Sequence, residues 1–396
     1  MTTSATTRTP SPWFMLVVSM VAQVAGTVAN NAAPFLIPYL HLEQGLSLTH
    51  AGLIAAAPLA GTTVSLVAWG ALVDRLGERL SLTVGLVGIT AGAVAAGLVE
   101  GYGALAVCFF FLGLFAGSSN SASGRLVVGW FPAERRGTAM GIRQTGLPIG
   151  VGITALLVPT LATAQGIGTT MLVIAALCAA TTVFTVVFVV DPPRPDRATA
   201  RTTGQLASPY RGDRRLVRIH LASALLVVPQ FTVWTFMLVW LIDTKDLGAA
   251  AAGGLVAASQ LVGAAARIGV GWWSDRVGSR LRPLRQVAVV AALTMLLLGA
   301  VESTWVAIVV IVVATGVTVA DNGLAFTAVA EIGGPYWAGK AMGWQNTGQY
   351  LIAMVVPPVV GAAVTQHGYA WTFAAVGVLP LLAIPLVPRE RVGDPA

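Results

Sequence analysis

The stretch GALVDRLGERL at residues 70–80 returns as GWWSDRVGSRL at residues 271–281. Each matched position is displaced by 201 residues (275 − 74), about half the length of a chain of 396 residues. The matched residues are Gly70, Asp74, Arg75, Gly77, Arg79 and Leu80 in the first copy, and Gly271, Asp275, Arg276, Gly278, Arg280 and Leu281 in the second. This spacing indicates that the two halves of the chain are copies of one another.

Between these charged stretches the chain is strongly apolar. Hydrophobic residues make up 56% and charged residues 10% of it, whereas a soluble domain carries about 25% charged residues. Because about 20 consecutive apolar residues span a bilayer as a helix, we predict an all-α membrane protein with twelve transmembrane helices. These lie near 13–39, 48–69, 80–99, 104–129, 138–162, 168–190, 218–241, 250–273, 286–301, 305–329, 338–364 and 370–387.

A second block of sequence repeats at nearly the same offset. RRGTAMGIRQTG at 135–146 is matched by WAGKAMGWQNTG at 337–348, a displacement of 202 residues (348 − 146). The segment between the two copies is polar and rich in proline and arginine. We therefore predict an N-terminal six-helix half at 1–190, a cytoplasmic linker at 191–217 and a C-terminal six-helix half at 218–396. Parallel six-helix repeats characterise one major class of secondary transporter.

The arginines predict the orientation of the chain. They concentrate in alternate loops and the C-terminal tail, including Arg389 and Arg391, while the opposite loops are acidic. Because loops rich in Lys and Arg stay cytoplasmic, we expect a multi-pass protein of the inner (plasma) membrane with both termini in the cytoplasm. The basic loops are also placed to contact anionic membrane lipid.

Several classes of protein are disfavoured by the sequence. The pI near 10 follows from the loop arginines, and no aromatic-rich basic domain indicates nucleic-acid binding. Cys108 and Cys178 both fall inside predicted helices and indicate neither a disulfide framework nor a metal site. No P-loop, zinc ligand set or nucleophile elbow is present. We expect no cofactor, no enzymatic activity, and transport that is passive or driven by an ion or solute gradient.

GALVDRLGER resembles the loop 2–3 signature of the major facilitator superfamily, Gly-x-x-x-Asp-Arg-x-Gly-x-Arg, and the second copy falls where that family often repeats it. The resemblance implies the major facilitator fold, with two six-helix repeats around a central cavity, alternating access, and a monomer. Glu78 departs from the pattern, because the family usually has a base there.

The motif also has a physical interpretation as a gate. Asp74 and Asp275 follow helices at the cytoplasmic surface, where a carboxylate can meet the positive N-terminus of a neighbouring helix or an arginine. Gly77 and Gly278 permit a tight turn. We predict gating roles for Gly70, Asp74, Arg75, Gly77, Arg79, Gly271, Asp275, Arg276, Gly278 and Arg280.

Three charged residues inside predicted helices, Arg267, Arg143 and Asp321, are candidates for function, because intramembrane charges are costly. Arg267 lies eight residues before Asp275, roughly 12 Å inside the membrane. Oxalate/formate exchangers and monocarboxylate transporters of this superfamily carry a similar arginine that meets the anionic substrate. Arg143 lies in a stretch that resembles bacterial cyanate/nitroimidazole-type members. Either arginine can instead snorkel to the interface, which we expect of Arg125.

Asp321 is the only acid well inside a predicted helix. It is a candidate to carry a coupling proton, or else to serve as a fixed partner for an arginine. Uncharged side chains complete the predicted substrate site, although amides can also simply join helices. With Arg267 and Arg143, the predicted substrate-binding residues are Asn31, Asn120, Gln230, Trp234, Asn322 and Asn346.

These features predict a secondary active transporter for a small, carboxylate-like organic anion, coupled to protons or to anion exchange. The alternative is a drug/proton antiporter that exports amphipathic compounds. Asp321 and the aromatic residues suit the alternative, whereas Arg267 would repel a cationic drug. A membrane-embedded enzyme or receptor would need a catalytic cluster or a large soluble domain, and the sequence carries neither.

Overall fold

The computed structural model describes residues 10–389, in which all regular structure is helical. Twelve α-helices, numbered α1 to α12, follow one another along the chain. They are Pro12–Phe35, Leu48–Leu76, Glu78–Leu98, Tyr102–Trp130, Ala133–Arg143, Gly146–Phe188, Arg197–Thr202, Arg215–Asp243, Ala249–Val277, Leu281–Ala300, Val306–Gly333 and Ala338–Ala383. A π-helical turn at Tyr39–Glu43 follows α1 and a 3₁₀ turn at Ile384–Leu386 follows α12. Arg391 of the predicted basic tail lies outside the described residues.

Ten elements in residues 10–389 are long and apolar enough to span a membrane. Two of them, Ala133–Phe188 and Ala338–Leu386, have 56 and 49 residues. Each contains one glycine with non-helical backbone, Gly166 and Gly368, both with φ of 78°. A straight helix of 56 residues would measure about 84 Å, far more than the roughly 30 Å of a hydrocarbon core. The all-helical membrane class is confirmed, while the count of twelve crossings stays a prediction.

The helices pack in two groups. The first group consists of α1 to α6, in which α4 packs against α2 and α3, and α6 packs against α1 and α3. The second group consists of α8 to α12, in which α12 packs against α8 and α10, and α11 packs against α9. The main contacts between the groups are α2 with α12 and α5 with α9. These two crossings lie at the end of the bundle that carries residues 191–214, which we call the linker side.

Glycines allow both crossings to be close. A Cβ atom added to Gly70 of α2 would lie 2.2 Å from the carbonyl oxygen of Gly339 in α12. A Cβ added to Gly271 of α9 would lie 2.2 Å from the carbonyl oxygen of Gly137 in α5. Because glycine has no side chain, the backbones of the paired helices can touch directly, as is common between membrane helices.

The linker-side turns also depend on glycine. Gly77, between α2 and α3, has φ of 98°, and Gly278, after α9, has φ of 63°. These left-handed values are readily adopted only by glycine. The linker itself folds back onto the second group, where the hydroxyl of Tyr210 lies 3.0 Å from Nε2 of His220. Burial raises the pKa of Tyr210 to about 12.

Candidate functional site

A cavity of about 590 Å³, counting space continuous with solvent, lies between the two helix groups. Its lining residues are Gln23, Asn120, Gln144, Leu147, Val227, Gln230, Phe231, Trp234, Arg267, Asn322, Phe326, Asn346, Gln349 and Tyr350. Six of the eight predicted substrate-binding residues are among them: Arg267, Asn120, Gln230, Trp234, Asn322 and Asn346.

The other two predicted residues lie outside this cavity. The side-chain amide of Asn31 donates to the carbonyl of Thr27, one turn earlier in α1, at 2.9 Å. Arg143 is buried behind the lining residues Asn120 and Gln144, both of which it contacts. Asn31 and Arg143 therefore do not line this cavity, and a role for either in substrate binding stays a prediction.

Arg267 of α9 is the charged residue of the cavity wall. Only 5% of it is exposed. Within residues 10–389 its Nε atom has no hydrogen-bond partner, and no ion pair joins its guanidinium to a carboxylate. It interacts electrostatically with Asp321 of α11, at longer range. Arg267 therefore presents an unpaired guanidinium to the cavity.

Arg267 also lies where the two helix groups meet. A Cβ added to Gly141 of α5 would lie 2.4 Å from the carbonyl oxygen of Arg267. The backbone that carries this guanidinium is thus in direct contact with the opposite helix group. Any separation of α5 from α9 would move the arginine relative to the first group.

Arg143 is held by neutral oxygens. Its Nε donates to Oγ of Ser123 at 2.9 Å, its Nη2 to the carbonyl of Asn120 at 2.8 Å and its Nη1 to Oε1 of Gln144 at 3.1 Å. The residue is buried, so the alternative in which it snorkels to the interface is wrong. Its charge lacks a carboxylate partner among the described residues.

Asp321 is buried in α11, behind the cavity wall. Its Oδ2 atom has no hydrogen-bond partner among residues 10–389. It interacts electrostatically with Arg267 without forming an ion pair. The site therefore holds two buried guanidinium groups and one buried carboxyl group.

A chain of amide hydrogen bonds follows one wall of the cavity. Gln349 donates to Asn322 at 3.0 Å, and Asn322 donates to Gln230 at 2.9 Å. These bonds join α12, α11 and α8, so the amides both connect helices and face the cavity. Trp234, one turn after Gln230, donates its indole N–H to Gln260 at 3.3 Å. The polar wall is consequently held in one arrangement by its own hydrogen bonds.

The predicted site residues omitted Gln144, Phe231, Phe326 and Tyr350. Tyr350 follows Asn346 by four residues, and residues at this spacing share a helix face, so the pattern around Asn346 held the signal for it. Phe231 and Phe326 had no such signal, because apolar residues occupy every face of these helices. Together with Trp234, these aromatic rings make up the less polar part of the cavity lining.

On the linker side, the aspartate of each motif copy accepts hydrogen bonds from the backbone of a helix in the opposite group. Asp74 accepts hydrogen bonds from the backbone N–H groups of Gly339 and Lys340 in the first turn of α12, at 2.8 and 2.9 Å. Asp275 accepts from the backbone N–H groups of Gly137 and Thr138 in α5, at 2.8 and 2.7 Å. The two contacts are equivalent under the sequence repeat, and both join the helix groups.

Buried ion pairs surround Asp74. Nη1 of Arg125 lies 2.5 Å from Glu78, and its Nε lies 3.3 Å from Asp74. Arg194 of the linker binds the other oxygen of Glu78 at 2.6 Å. The expectation that Arg125 snorkels is therefore wrong: its side chain turns inward because two buried carboxylates are there. Glu78, the departure from the family signature, is part of this cluster.

Around Asp275 the arginine comes from the motif itself. Arg280 pairs with Asp275 at 2.6 Å and with Glu331 at 3.4 Å. Glu331 of α11 also pairs with Arg136 of the first group at 3.5 Å. Arg79, the counterpart of Arg280, instead donates to the carbonyl of Val186 within its own group. The two motif copies thus have different partners.

Arg75 and Arg276 of the predicted gate are exposed. Arg276 lies over the ring of Trp272 in its own helix, at 5.0 Å from the ring centre. Neither arginine has a described ion pair with the opposite helix group.

The profile of the Major Facilitator Superfamily matches residues 15–357 of the chain. The chain belongs to the major facilitator superfamily. The resemblance inferred from the two motif copies is confirmed. This superfamily is a class of membrane transporters, which are not enzymes.

Individual members of the superfamily support the assignment. The chain is 46% identical over 378 residues to an uncharacterised MFS-type transporter of Mycobacterium tuberculosis, covering 95% of this chain and 84% of the relative. It is 25% identical over 406 residues to a probable sulfoacetate transporter of Cupriavidus necator, covering 90% and 91%. A crystal structure of the Escherichia coli fucose:proton symporter has a TM-score of 0.75 at 16% identity, covering 96% and 100%, so it shares the fold.

Proposed function

We propose that this chain is a secondary active transporter that moves a small, carboxylate-like organic anion by alternating access. The observation that carries the proposal is the excess of buried positive charge at the cavity. Two buried guanidinium groups, Arg267 and Arg143, stand against one buried carboxyl group, Asp321, and neither arginine forms an ion pair within residues 10–389. A buried charge without a partner is costly, and an anionic substrate would supply the missing partner.

Arg267 is the residue that would bind the anion. A guanidinium grips a carboxylate through two parallel hydrogen bonds, whereas lysine offers only a point charge. Arg143 would act from behind Asn120 and Gln144, contributing positive potential rather than contact. The amide wall, Gln230, Asn322 and Gln349, would hydrogen-bond the polar part of the substrate.

In this proposal the chain crosses the inner (plasma) membrane twelve times, with Gly166 and Gly368 as the turns inside its two longest elements. The six-helix halves are 1–190 and 218–396, joined by a cytoplasmic linker at 191–217, and the protein works as a monomer. The linker side is then cytoplasmic, and both termini lie there.

Alternating access would proceed by breaking the linker-side contacts. The hydrogen bonds that Asp74 and Asp275 accept from backbone N–H groups, with the ion pair between Arg136 and Glu331, hold the two groups together here. This conformation is closed on the linker side. When the linker side opens and the cavity becomes accessible from the cytoplasm, these charged groups must be hydrated or must pair with other residues.

Asp321 would couple transport to protons. In its protonated form the carboxyl group leaves Arg267 free for the substrate, and in its ionised form it competes with the substrate for the same guanidinium. Exchange of one anion for another is the alternative coupling, in which Asp321 stays a fixed countercharge. The name of the sulfoacetate transporter among the relatives is consistent with an anionic substrate.

A drug/proton antiporter is the second candidate. It is favoured by the aromatic lining residues Phe231, Trp234, Phe326 and Tyr350, which would suit an amphipathic compound. The guanidinium of Arg267 in the same lining, unpaired among the described residues, disfavours a cationic drug.

Counterflow in liposomes tests the proposal. Liposomes that contain the purified protein would be preloaded with one unlabelled organic anion at a time. The uptake of the labelled form of that anion would then be measured. Arg267→Lys should bind an identified anion roughly ten- to a hundredfold more weakly, the usual effect of losing a charge-assisted hydrogen bond. Arg211→Lys, an exposed linker position, is the matched control. Wild-type affinity in Arg267→Lys would contradict the proposal and favour the antiporter.

A further inference from the structure

A notch on the linker side opens between α5 and α9. Its lining residues are Trp13, Glu134, Arg135, Thr138, Trp272, Asp275 and Arg276. They come from both helix groups, since α1 and α5 belong to the first and α9 to the second. We call this site the α5–α9 notch.

The sequence repeat places equivalent positions between α12 and α2, and there linker residues contact two of the side chains. Tyr336 and Trp337 correspond to Glu134 and Arg135 at the offset of 202 residues (337 − 135). The hydroxyl of Tyr336 donates to the carbonyl of Pro195, and the indole N–H of Trp337 donates to the carbonyl of Leu206 at 3.1 Å. Linker residues therefore lie against the counterparts of Glu134 and Arg135.

None of the residues from 10 to 389 covers the α5–α9 notch in the same way. Trp13 is 40% exposed and Trp272 is 53% exposed. Exposed indoles at the end of a membrane helix are typical of the level of the lipid headgroups. Arg276 lies over the Trp272 ring, which holds its guanidinium at the notch. The notch thus combines an interfacial position with fixed positive charge.

The charge of the notch selects among possible occupants. Asp275 is already neutralised by Arg280 and by two backbone N–H groups. Among the described residues that line the notch, Arg135 and Arg276 are opposed only by Glu134, which leaves one net positive charge. A phosphodiester carries one negative charge and several acceptor oxygens, so it would neutralise the notch. Lipid tails would then lie along the exposed apolar surface beside it.

We propose that the α5–α9 notch binds the headgroup of a monoanionic phospholipid, with its phosphate between Arg135 and Arg276. Because the two arginines belong to opposite helix groups, the bound lipid stabilises the conformation that is closed on the linker side. It does for this notch what the linker does for the equivalent positions between α12 and α2. The site is independent of the identity of the transported substrate.

The binding can be measured with the purified full-length chain in detergent. Diheptanoyl phosphatidylglycerol would be titrated while the apparent Tm is followed, and bound lipid counted by native mass spectrometry. Each guanidinium near an anionic headgroup contributes roughly fivefold to its affinity. Arg135→Gln/Arg276→Gln should therefore bind the lipid roughly 25-fold more weakly than the wild type.

The control is Arg201→Gln/Arg211→Gln, which removes the same charge from exposed linker positions and should bind like the wild type. An equal loss in both double variants would mean diffuse surface attraction and would overturn the site. If inorganic phosphate raised the apparent Tm as much as the lipid does, the notch would bind free phosphate rather than a lipid headgroup, and the proposal would be overturned. A chain lacking residues 2–9 should bind like the wild type; stronger binding after that deletion would show that the N-terminal segment is the occupant instead.

Discussion

Replacing Gly70 by alanine tests whether the α2–α12 crossing controls access to the cavity. The new Cβ would lie 2.2 Å from the carbonyl oxygen of Gly339, and ordinary contact begins at 3.4 Å, so the two helices would have to separate by about 1.2 Å. The Cβ atom is attached directly to the α2 backbone and its contact is a backbone carbonyl, so no side-chain rotation can relieve the clash. Asp74, one turn further along α2, would be drawn away from the N–H groups that donate to it.

The free-energy cost of this clash destabilises only the conformation in which α2 and α12 are in contact on the linker side. Overpacking in a tightly packed contact typically costs about 1–3 kcal/mol. A conformation in which α2 and α12 have separated on the linker side does not incur it. The equilibrium should therefore shift toward linker-side opening by roughly 5- to 150-fold.

The assay uses a thiol at a buried contact between the helix groups. Met342 is 1% exposed and packs near Gly124 of α4, so Met342→Cys, with Cys108 and Cys178 replaced by serine, reports opening through its rate of reaction with a maleimide. Gly70→Ala should raise that rate. The control is Gly52→Ala in the same helix, where an added Cβ meets nothing within 4 Å. Equal rates in the two variants would refute the reasoning.

Three further predictions concern the proton, the gate and the orientation. Asp321→Asn should abolish proton-driven accumulation of substrate in proteoliposomes and spare exchange; loss of both would make Asp321 a fixed countercharge, and intact accumulation would exclude proton transfer. Asp74→Asn should weaken an inter-group contact that accepts two backbone N–H groups and slow transport in an inserted, folded protein; unchanged transport in both Asp74→Asn and Asp275→Asn would remove the gating role. On intact cells, an impermeant thiol reagent should label Gly101→Cys and leave Gly204→Cys unlabelled; the reverse result would invert the proposed orientation.

The two motif copies show where repetition in sequence stops predicting contacts. The aspartates behave alike, because each meets the backbone of a helix that the repeat also duplicates. The arginines do not: Arg280 is buried against Asp275, whereas Arg79 turns to Val186. Arg125 of α4 takes the corresponding place beside Asp74. Backbone partners follow from the fold itself, while side-chain partners depend on which neighbours happen to be in reach.

The sequence alone determined the class of protein, because burial of apolar residues in a bilayer depends on composition and run length, which are local properties. It also determined the superfamily, since the motif occurs twice at the repeat offset. It indicated six of the fourteen residues that line the cavity, mostly because polar residues inside apolar helices stand out. Only the tertiary structure placed Arg143 behind the cavity wall, Arg125 in a buried ion-pair cluster and Phe231, Phe326 and Tyr350 in the cavity lining. Those placements depend on how helices distant in sequence are rotated against one another, and a helix that is apolar on every face carries no periodic signal of its rotation.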